Sequence, residues 1–351
     1  MKRYLLLILL LCAVGFSESF AQGKYILPIP STSPSKAQQA QIARKYGMFI
    51  HFGINTFHDE EWTDGSKPAE SYNPTTIDAD QWIKTAKEAG MKYVILVTKH
   101  HEGFCLWDSK YTKYDVASSG NKTDVVEAVA KACKKYRIGL GLYYSLWDRK
   151  VNADVENIQS DTKYNEYMLN QLKELIHITK KHTNIVEFWF DGGWTKENYR
   201  WPILDIYQVI KEQEPNCQIG INWSIGIPDN SDTHLVLPDK QKEGYPIRYF
   251  PSDFRLGDPY LPADNDPKIF TYSGRSYYMP WESTVCISKR WFYNTKDVEY
   301  KSIEELEKLY KQATKNDNIL ILNCPPNRDG KIRAKDIELL KQLREKIKND
   351  L

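Results

Sequence analysis

Ile185-Val186-Glu187-Phe188-Trp189-Phe190-Asp191-Gly192-Gly193 carries two patterns at once. Consecutive side chains of a strand point to opposite faces, so Glu187, Trp189 and Asp191 share one face while Val186, Phe188 and Phe190 share the other. The all-apolar face must pack beneath helices. Trp189 and Asp191 then point inward, with the carboxylate where the strand ends. The two glycines that follow let another group approach closely. A carboxylate beside an indole at a strand end suits a nucleophile, and a turn aspartate before glycine is the plainer alternative.

Working outward, short apolar runs recur at 47–54, 92–98, 138–145, 217–222, 284–288 and 318–323, with a weaker one at 248–254. Amphipathic segments of helical length alternate with them, at 79–89, 124–136, 164–181, 201–213, 302–314 and 334–348. Asp78 and Thr123 read as helix N-caps. Such alternation predicts a parallel sheet with helices outside. Counting the weak run gives eight strands, hence an α/β protein with a (β/α)8-like TIM barrel over residues 22–351. An open doubly wound sheet usually shows a Gly-rich phosphate turn after its first strand, and His51-Phe52-Gly53-Ile54-Asn55 is not one.

The 351 residues open with Met1-Lys2-Arg3, an apolar run at 4–16 and small residues up to Ala21. This is the pattern of a signal peptide over 1–21, so export to the periplasm or medium is expected. The run is shorter than the roughly 18 residues of a membrane span, and Leu11 before Cys12 argues against a lipid anchor. With 41% hydrophobic and 27% charged residues the chain is neither disordered nor an integral membrane protein. A net charge of +2 gives no reason to expect a nucleic-acid partner. Cys105, Cys133, Cys217, Cys286 and Cys324 are far apart and form no CxxC, which reads as buried thiols. The 10 Trp and 23 Tyr suit ring stacking on sugars or bases, or simply a large core.

In a barrel, reactive groups lie at the carboxyl ends of strands. The first run presents His51 and Asn55; the second leads into Lys99-His100-His101-Glu102-Gly103-Phe104; the third carries Tyr143-Tyr144 before Trp147-Asp148. Together with Asp191 these read as one site. Adjacent histidines can face one pocket only where the strand bends; metal ligation, a structural role and binding of sugar hydroxyls are the readings. Glu61-Trp62, in the loop after the first run, pairs a carboxylate with an indole and suits gripping a sugar, with a solvated acidic loop as the alternative. Glu282, in Pro280-Trp281-Glu282-Ser283, is the best-placed second carboxylate by pattern. Retaining glycosidases need two, about 5–5.5 Å apart.

Gly47-Met48-Phe49-Ile50-His51-Phe52-Gly53, Thr98-Lys99-His100-His101-Glu102-Gly103-Phe104, Gly141-Leu142-Tyr143-Tyr144-Ser145, Phe188-Trp189-Phe190-Asp191-Gly192, Trp281-Glu282 and Leu322-Asn323-Cys324-Pro325-Pro326 with Asp329-Gly330 resemble, in order, the family 29 glycoside hydrolases, the retaining α-L-fucosidases. The resemblance implies a catalytic barrel, Asp191 as nucleophile, and His51, His100, His101, Tyr143 and Trp189 around a fucose subsite. It also implies that Glu61 and Trp62 contact the sugar, that no metal or organic cofactor is needed, and that the substrate is a fucosylated oligosaccharide or glycoconjugate. Asn55-Thr56-Phe57 with Glu61-Trp62, and Trp291-Phe292-Tyr293, look closer to the branch acting on α-1,3/1,4-linked fucose. That branch usually carries its acid/base in a Gly-Asn-Glu motif, which is absent here. Glu282, Glu243, Asp253, Asp258, Asp264 and Asp266 are the candidates instead. The expectation is exo-acting hydrolysis of terminal α-L-fucose. Its alternatives are a fucose-binding barrel without turnover and a hydrolase for a related sugar such as an α-L-galactoside. Many relatives carry a β-sandwich after the barrel; with one helix following 322–330, none is expected in this chain.

Overall fold

The computed structural model describes residues 25–151, 161–196, 199–228, 230–297 and 299–351; the leader read at 1–21, with Cys12, lies outside them. Twelve strands are present among these residues: β1 Tyr46–Ile50, β2 Tyr93–Lys99, β3 Gly139–Ser145, β4 Ile185–Asp191, β5 Gln218–Ile221, β6 Gly226–Ile227, β7 Asn230–Leu235, β8 Phe254–Arg255, β9 Ile269–Tyr272, β10 Arg275–Tyr278, β11 Glu282–Cys286 and β12 Ile319–Asn323. Eight of them form a parallel sheet in the order β11-β12-β1-β2-β3-β4-β5-β8. Its two edges meet at one bridge, where the Arg255 N–H donates to the Pro280 carbonyl at 2.8 Å. The fold is a (β/α)8-like TIM barrel.

Helices α2 Ala79–Glu88, α3 Val125–Tyr136, α4 Thr162–Lys180, α5 Ile203–Gln213, α6 Ile303–Ala313 and α7 Ala334–Ile347 follow the amphipathic segments closely, and α1 Lys36–Arg44 precedes them. Asp78 caps α2 by accepting from the Gln81 N–H at 3.0 Å. The cap of α3 is Asp124 rather than Thr123, because the Asp124 carboxylate takes the Glu127 N–H at 2.8 Å. The weak run at 248–254 shrinks to the two residues of β8. Antiparallel hairpins β6/β7 and β9/β10 lie on either side of it in sequence, where helices would complete a regular barrel. Ile225, Ile247, Phe270, Tyr277 and Met279 form a small apolar core of their own in this arc.

The alternation in β4 is as the sequence predicts. Trp189 packs inside the barrel with Phe49, Ile95, Val97, Tyr143, Phe254 and Ile321, while Phe188 and Phe190 join the larger core beneath the helices. The five described cysteines are buried and unpaired.

At the amino-terminal end of the barrel, α1 acts as a plug. Ser35 and Gln38 cap it reciprocally. Its Gln41 and Arg44 donate to the Glu187 carboxylate at 3.1 and 3.3 Å. Glu282 lies in this layer, not at the mouth. It is the first residue of β11, paired with Ile319 at the start of β12, and it accepts from the Tyr93 hydroxyl at 2.6 Å. Burial, and next the charge of Glu187, push its pKa far up, so it holds a proton. Glu187 precedes Asp191 by four strand residues, which puts the Glu282 layer about 13 Å below the strand end.

The turn at Asp329-Gly330 locks the barrel's last strand to α2. Gly330 has φ +69°, and a Cβ there would stand 2.0 Å from the Thr76 carbonyl oxygen. Its own carbonyl accepts from the Trp82 indole at 2.9 Å and the Asp78 N–H at 3.1 Å. Gly330→Ala is expected to cost at least about 2 kcal/mol, seen as a lower midpoint in urea unfolding.

Candidate active site

A cavity of about 430 Å³ opens at the carboxyl ends of the strands. Phe49, His51, Trp62, His100, His101, Tyr143, Trp189, Asp191, Trp194, Asn222, Trp223, Leu235, Asp258, Pro259 and Trp291 line it. Of the residues proposed from sequence, His51, Trp62, His100, His101, Tyr143, Trp189 and Asp191 line this cavity, and Glu61 stands outside it.

Asp191 ends β4 with donors on both oxygens. Oδ1 accepts from the Gly192 N–H at 2.7 Å, Asn222 Nδ2 at 3.0 Å and the Trp194 indole at 3.3 Å; Oδ2 accepts from the Tyr143 hydroxyl at 2.9 Å. Burial pushes its pKa up, but His101, Asn222, His100 and Tyr143 outweigh burial and hold it below the usual carboxylate range. Gly192 serves the turn more than any approaching ligand. It has φ +77°, and a Cβ would sit 2.8 Å from that of Trp147.

The bend that a histidine pair requires is present. The β2–β3 register shifts between Val97 and Lys99, and the buried Lys99 ammonium is held by Asp148 at 2.9 Å and the Tyr144 hydroxyl at 3.0 Å. Both rings, 4.1 Å apart, then face the cavity. The hydrogen-bond network assigns their tautomers. The Ser145 hydroxyl donates to the Trp147 carbonyl at 2.6 Å, so His101 Nδ1, 2.7 Å away, must donate to Ser145. Burial lowers the His101 pKa to about 3, leaving a neutral ring whose Nε2 lone pair lies 3.5 Å from Asp191 Oδ2. His51 is similar. Asn323 Nδ2 donates to the Trp291 carbonyl at 2.8 Å, so Asn323 Oδ1 accepts from His51 Nδ1 at 2.8 Å, and burial first of all keeps His51 neutral. Two acceptors therefore await donors, as sugar hydroxyls are. On the floor, Trp189 stacks on Tyr143 at 5.4 Å, and its buried indole N–H has no partner among the described residues. A buried donor left so is costly unless a ligand takes it.

The Glu61-Trp62 pair is split. Trp62, 48% exposed, stands edge-on to His101 at the rim. The Glu61 carboxylate instead clamps the loop after β11, accepting the N–H groups of Trp291 at 3.2 Å and Phe292 at 3.3 Å. It bears on the cavity through Trp291 and through its charge near His100.

Among the acid candidates, Glu282 is at the far end of the barrel. Glu243 accepts backbone N–H groups of Lys268 and Ile269, Asp253 is held by Tyr207 and Lys211 against α5, Asp264 pairs with Lys315, and Asp266 pairs with Arg255. Asp258 alone of the six lines the cavity. It accepts from the Thr284 hydroxyl at 2.5 Å. Burial raises its pKa to about 7, assisted by the charge of Asp191 and opposed by the Thr284 bond. Asn222 spans the two carboxylates, donating to Asp191 and accepting the Asp258 N–H at 3.0 Å. Asn222 ends the run at 217–222, so the strand-end rule points to it, though sequence reasoning passed over it. Trp223 and Asn323 were likewise missed, whereas Trp194 stood in the strand-end segment that begins at Asp191.

His100, His101 and Asp191 each offer one atom within 4.8 Å of the others, the geometry of a possible metal site. They offer three ligands at most, and Asp191 already accepts hydrogen bonds on both oxygens; no step below runs through a metal.

A model of the family described as alpha-L-fucosidase matches residues 13–349. The chain is 32% identical over 343 residues to alpha-L-fucosidase 1 of Arabidopsis thaliana, spanning 93% of this chain and 61% of that protein. A solved structure from Bacteroides thetaiotaomicron is 30% identical with a TM-score of 0.69, aligning 91% of this chain with 69% of that one. The Ruminococcus gnavus GH29 fucosidase in complex with fucose shares the fold, with a TM-score of 0.72 at 24% identity over 93% of this chain and 70% of that one. The chain spans about three fifths of the length of the first curated relatives it matches. With the match running through every strand of the barrel and both walls of the cavity, the chain belongs to the alpha-L-fucosidase family.

Proposed function

We propose that this protein hydrolyses terminal α-L-fucosides with retention, through two displacements. The observation that carries this reading is one cavity holding two carboxylates of opposite character, an ionised Asp191 and an Asp258 that keeps its proton up to about pH 7. Asp191 attacks the anomeric carbon while Asp258 donates to the departing oxygen. Asp258, now a base, then takes a proton from the water that cleaves the glycosyl-enzyme. His51 and His101 accept sugar hydroxyls and Trp189 donates to one, while Phe49 and Trp291 supply apolar surface for the fucose methyl. Fucosylated oligosaccharides or glycoconjugates are the substrate class. Preference for α-1,3/1,4 linkages is supported by Glu61, which joins the two segments on which that likeness rests. The leader at 1–21 supports an exported enzyme, with residues 22–351 as its catalytic domain.

Hydrolysis of 4-nitrophenyl α-L-fucoside, followed by NMR, tests the reading. The α anomer should be the first product. Initial release of the β anomer, or binding without release of product, would overturn it.

Glu282→Gln separates this assignment from the pattern-based one. The amide mimics the protonated acid that Tyr93 and Glu187 already hold, so kcat/KM should stay within a few-fold of wild type. A loss of 100-fold or more would return Glu282 to the chemistry.

A further inference from the structure

The position of Asp258 fixes which part of the rim meets the leaving group, because an acid must reach the oxygen that departs. The chain on either side of it is apolar and aromatic. Pro259 follows directly and lines the cavity. Tyr260, 43% exposed, comes next. Trp223, which lines the cavity, packs edge-on against it with ring centroids 5.6 Å apart. Trp223 also has φ +61°, a left-handed conformation in which a bulky residue is rare. Its N–H bonds Asn222 Oδ1 at 3.0 Å, the same oxygen that takes the Asp258 N–H. The amide that sets both carboxylates thus also aims this indole at the rim, and backbone strain of this kind gathers at functional positions. The opposite rim belongs to the other carboxylate. Trp62 and Trp194 touch His101, and Trp194 bonds Asp191. No lysine or arginine lines the cavity among the described residues.

We propose that Trp223, Pro259 and Tyr260 form the leaving-group subsite, and that it takes a neutral hexopyranose through the C–H face of its ring rather than through charge pairs. This deepens the hydrolase reading above and rests on it. A pyranose with axial C–H bonds on one face presents a flat apolar surface, and aromatic rings at a rim are the surface that complements it. A carboxylated or sulfated sugar finds no cation there.

The test compares a fucosyl-N-acetylglucosamine disaccharide with methyl α-L-fucoside. Both have poorly acidic leaving groups that need the catalytic acid, and only the first brings a second ring. Tyr260→Ala should lower kcat/KM for the disaccharide roughly five- to tenfold, while methyl fucoside changes less than twofold. Tyr260→Phe should keep the wild-type ratio. Equal losses on both substrates, or no loss on the disaccharide, would overturn the subsite. A wild-type protein inactive on both substrates would instead overturn the hydrolase reading itself.

Discussion

Asp191→Asn lowers turnover of an aryl α-L-fucoside by about 10⁴-fold or more and leaves the protein folded. The amide cannot attack the anomeric carbon, and among the described lining residues the one other carboxylate, Asp258, has the acid's role in this mechanism. Folding survives for a reason specific to this site. Three fixed donors, from Gly192, Asn222 and Trp194, converge on Oδ1, which stays an oxygen in the variant. The new NH₂ group takes the place of Oδ2, where the Tyr143 hydroxyl can rotate from donor to acceptor. Circular dichroism and the thermal midpoint should therefore match wild type. Near-normal hydrolysis by the variant would remove Asp191 from the mechanism.

Asp258→Ala gives the second large effect, and its signature differs. Loss of the acid should cost about 10²–10⁴-fold on methyl α-L-fucoside, and far less on substrates whose leaving group needs no proton. Azide should restore turnover and yield α-L-fucosyl azide, because it attacks the intermediate on Asp191 from the side that water uses. In a variant lacking Asp191, azide attacks the substrate directly and the β azide forms, so the two anomers tell the two roles apart. The pH profile follows with a definite sign. The active form needs Asp258 protonated and Asp191 ionised. Wild-type kcat/KM should fall as pH rises through about 7, and on the acid side only below the usual carboxylate range. An unchanged alkaline limb in Asp258→Asn would refute the assignment.

Most of the barrel was legible because parallel strands are covered on both faces and read as apolar runs. The alternation in β4 was enough to place Trp189 inside and Asp191 at the mouth. What escaped has physical reasons. Helix α1, Lys-Ala-Gln-Gln-Ala-Gln-Ile-Ala-Arg, has no apolar stripe, since it packs its polar side chains onto Glu187. Glu282 was misplaced although it precedes the run at 284–288: in a parallel barrel that side of a run is the amino-terminal layer, and β11 indeed begins at Glu282. Asp258 was one acid candidate among several and was not singled out, because the weak run at 248–254 shrinks to a strand of two residues. The Glu61-Trp62 pair looked like one device, yet neighbouring side chains on an extended loop point apart, and the two serve different partners.

The single bridge between β8 and β11 divides the barrel mechanically. Asp191 stands on the side where β1 to β5 are held by ladders of four to six residue pairs and by helices behind them. Asp258 stands on the side where β8 pairs with β5 through two residues and meets β11 at Arg255 alone. That side depends on Arg255, which is fully buried between the rings of Phe270 and Trp281 and tied to Asp266 at 2.8 Å. Free energies of local opening follow such differences in backbone pairing. Amide protons of β8 and the two hairpins should exchange with solvent well before those of β2 to β4. On the proposed mechanism, the rigid frame is the half that would form the covalent bond, and the half that would move the proton and meet the departing sugar is the one expected to yield.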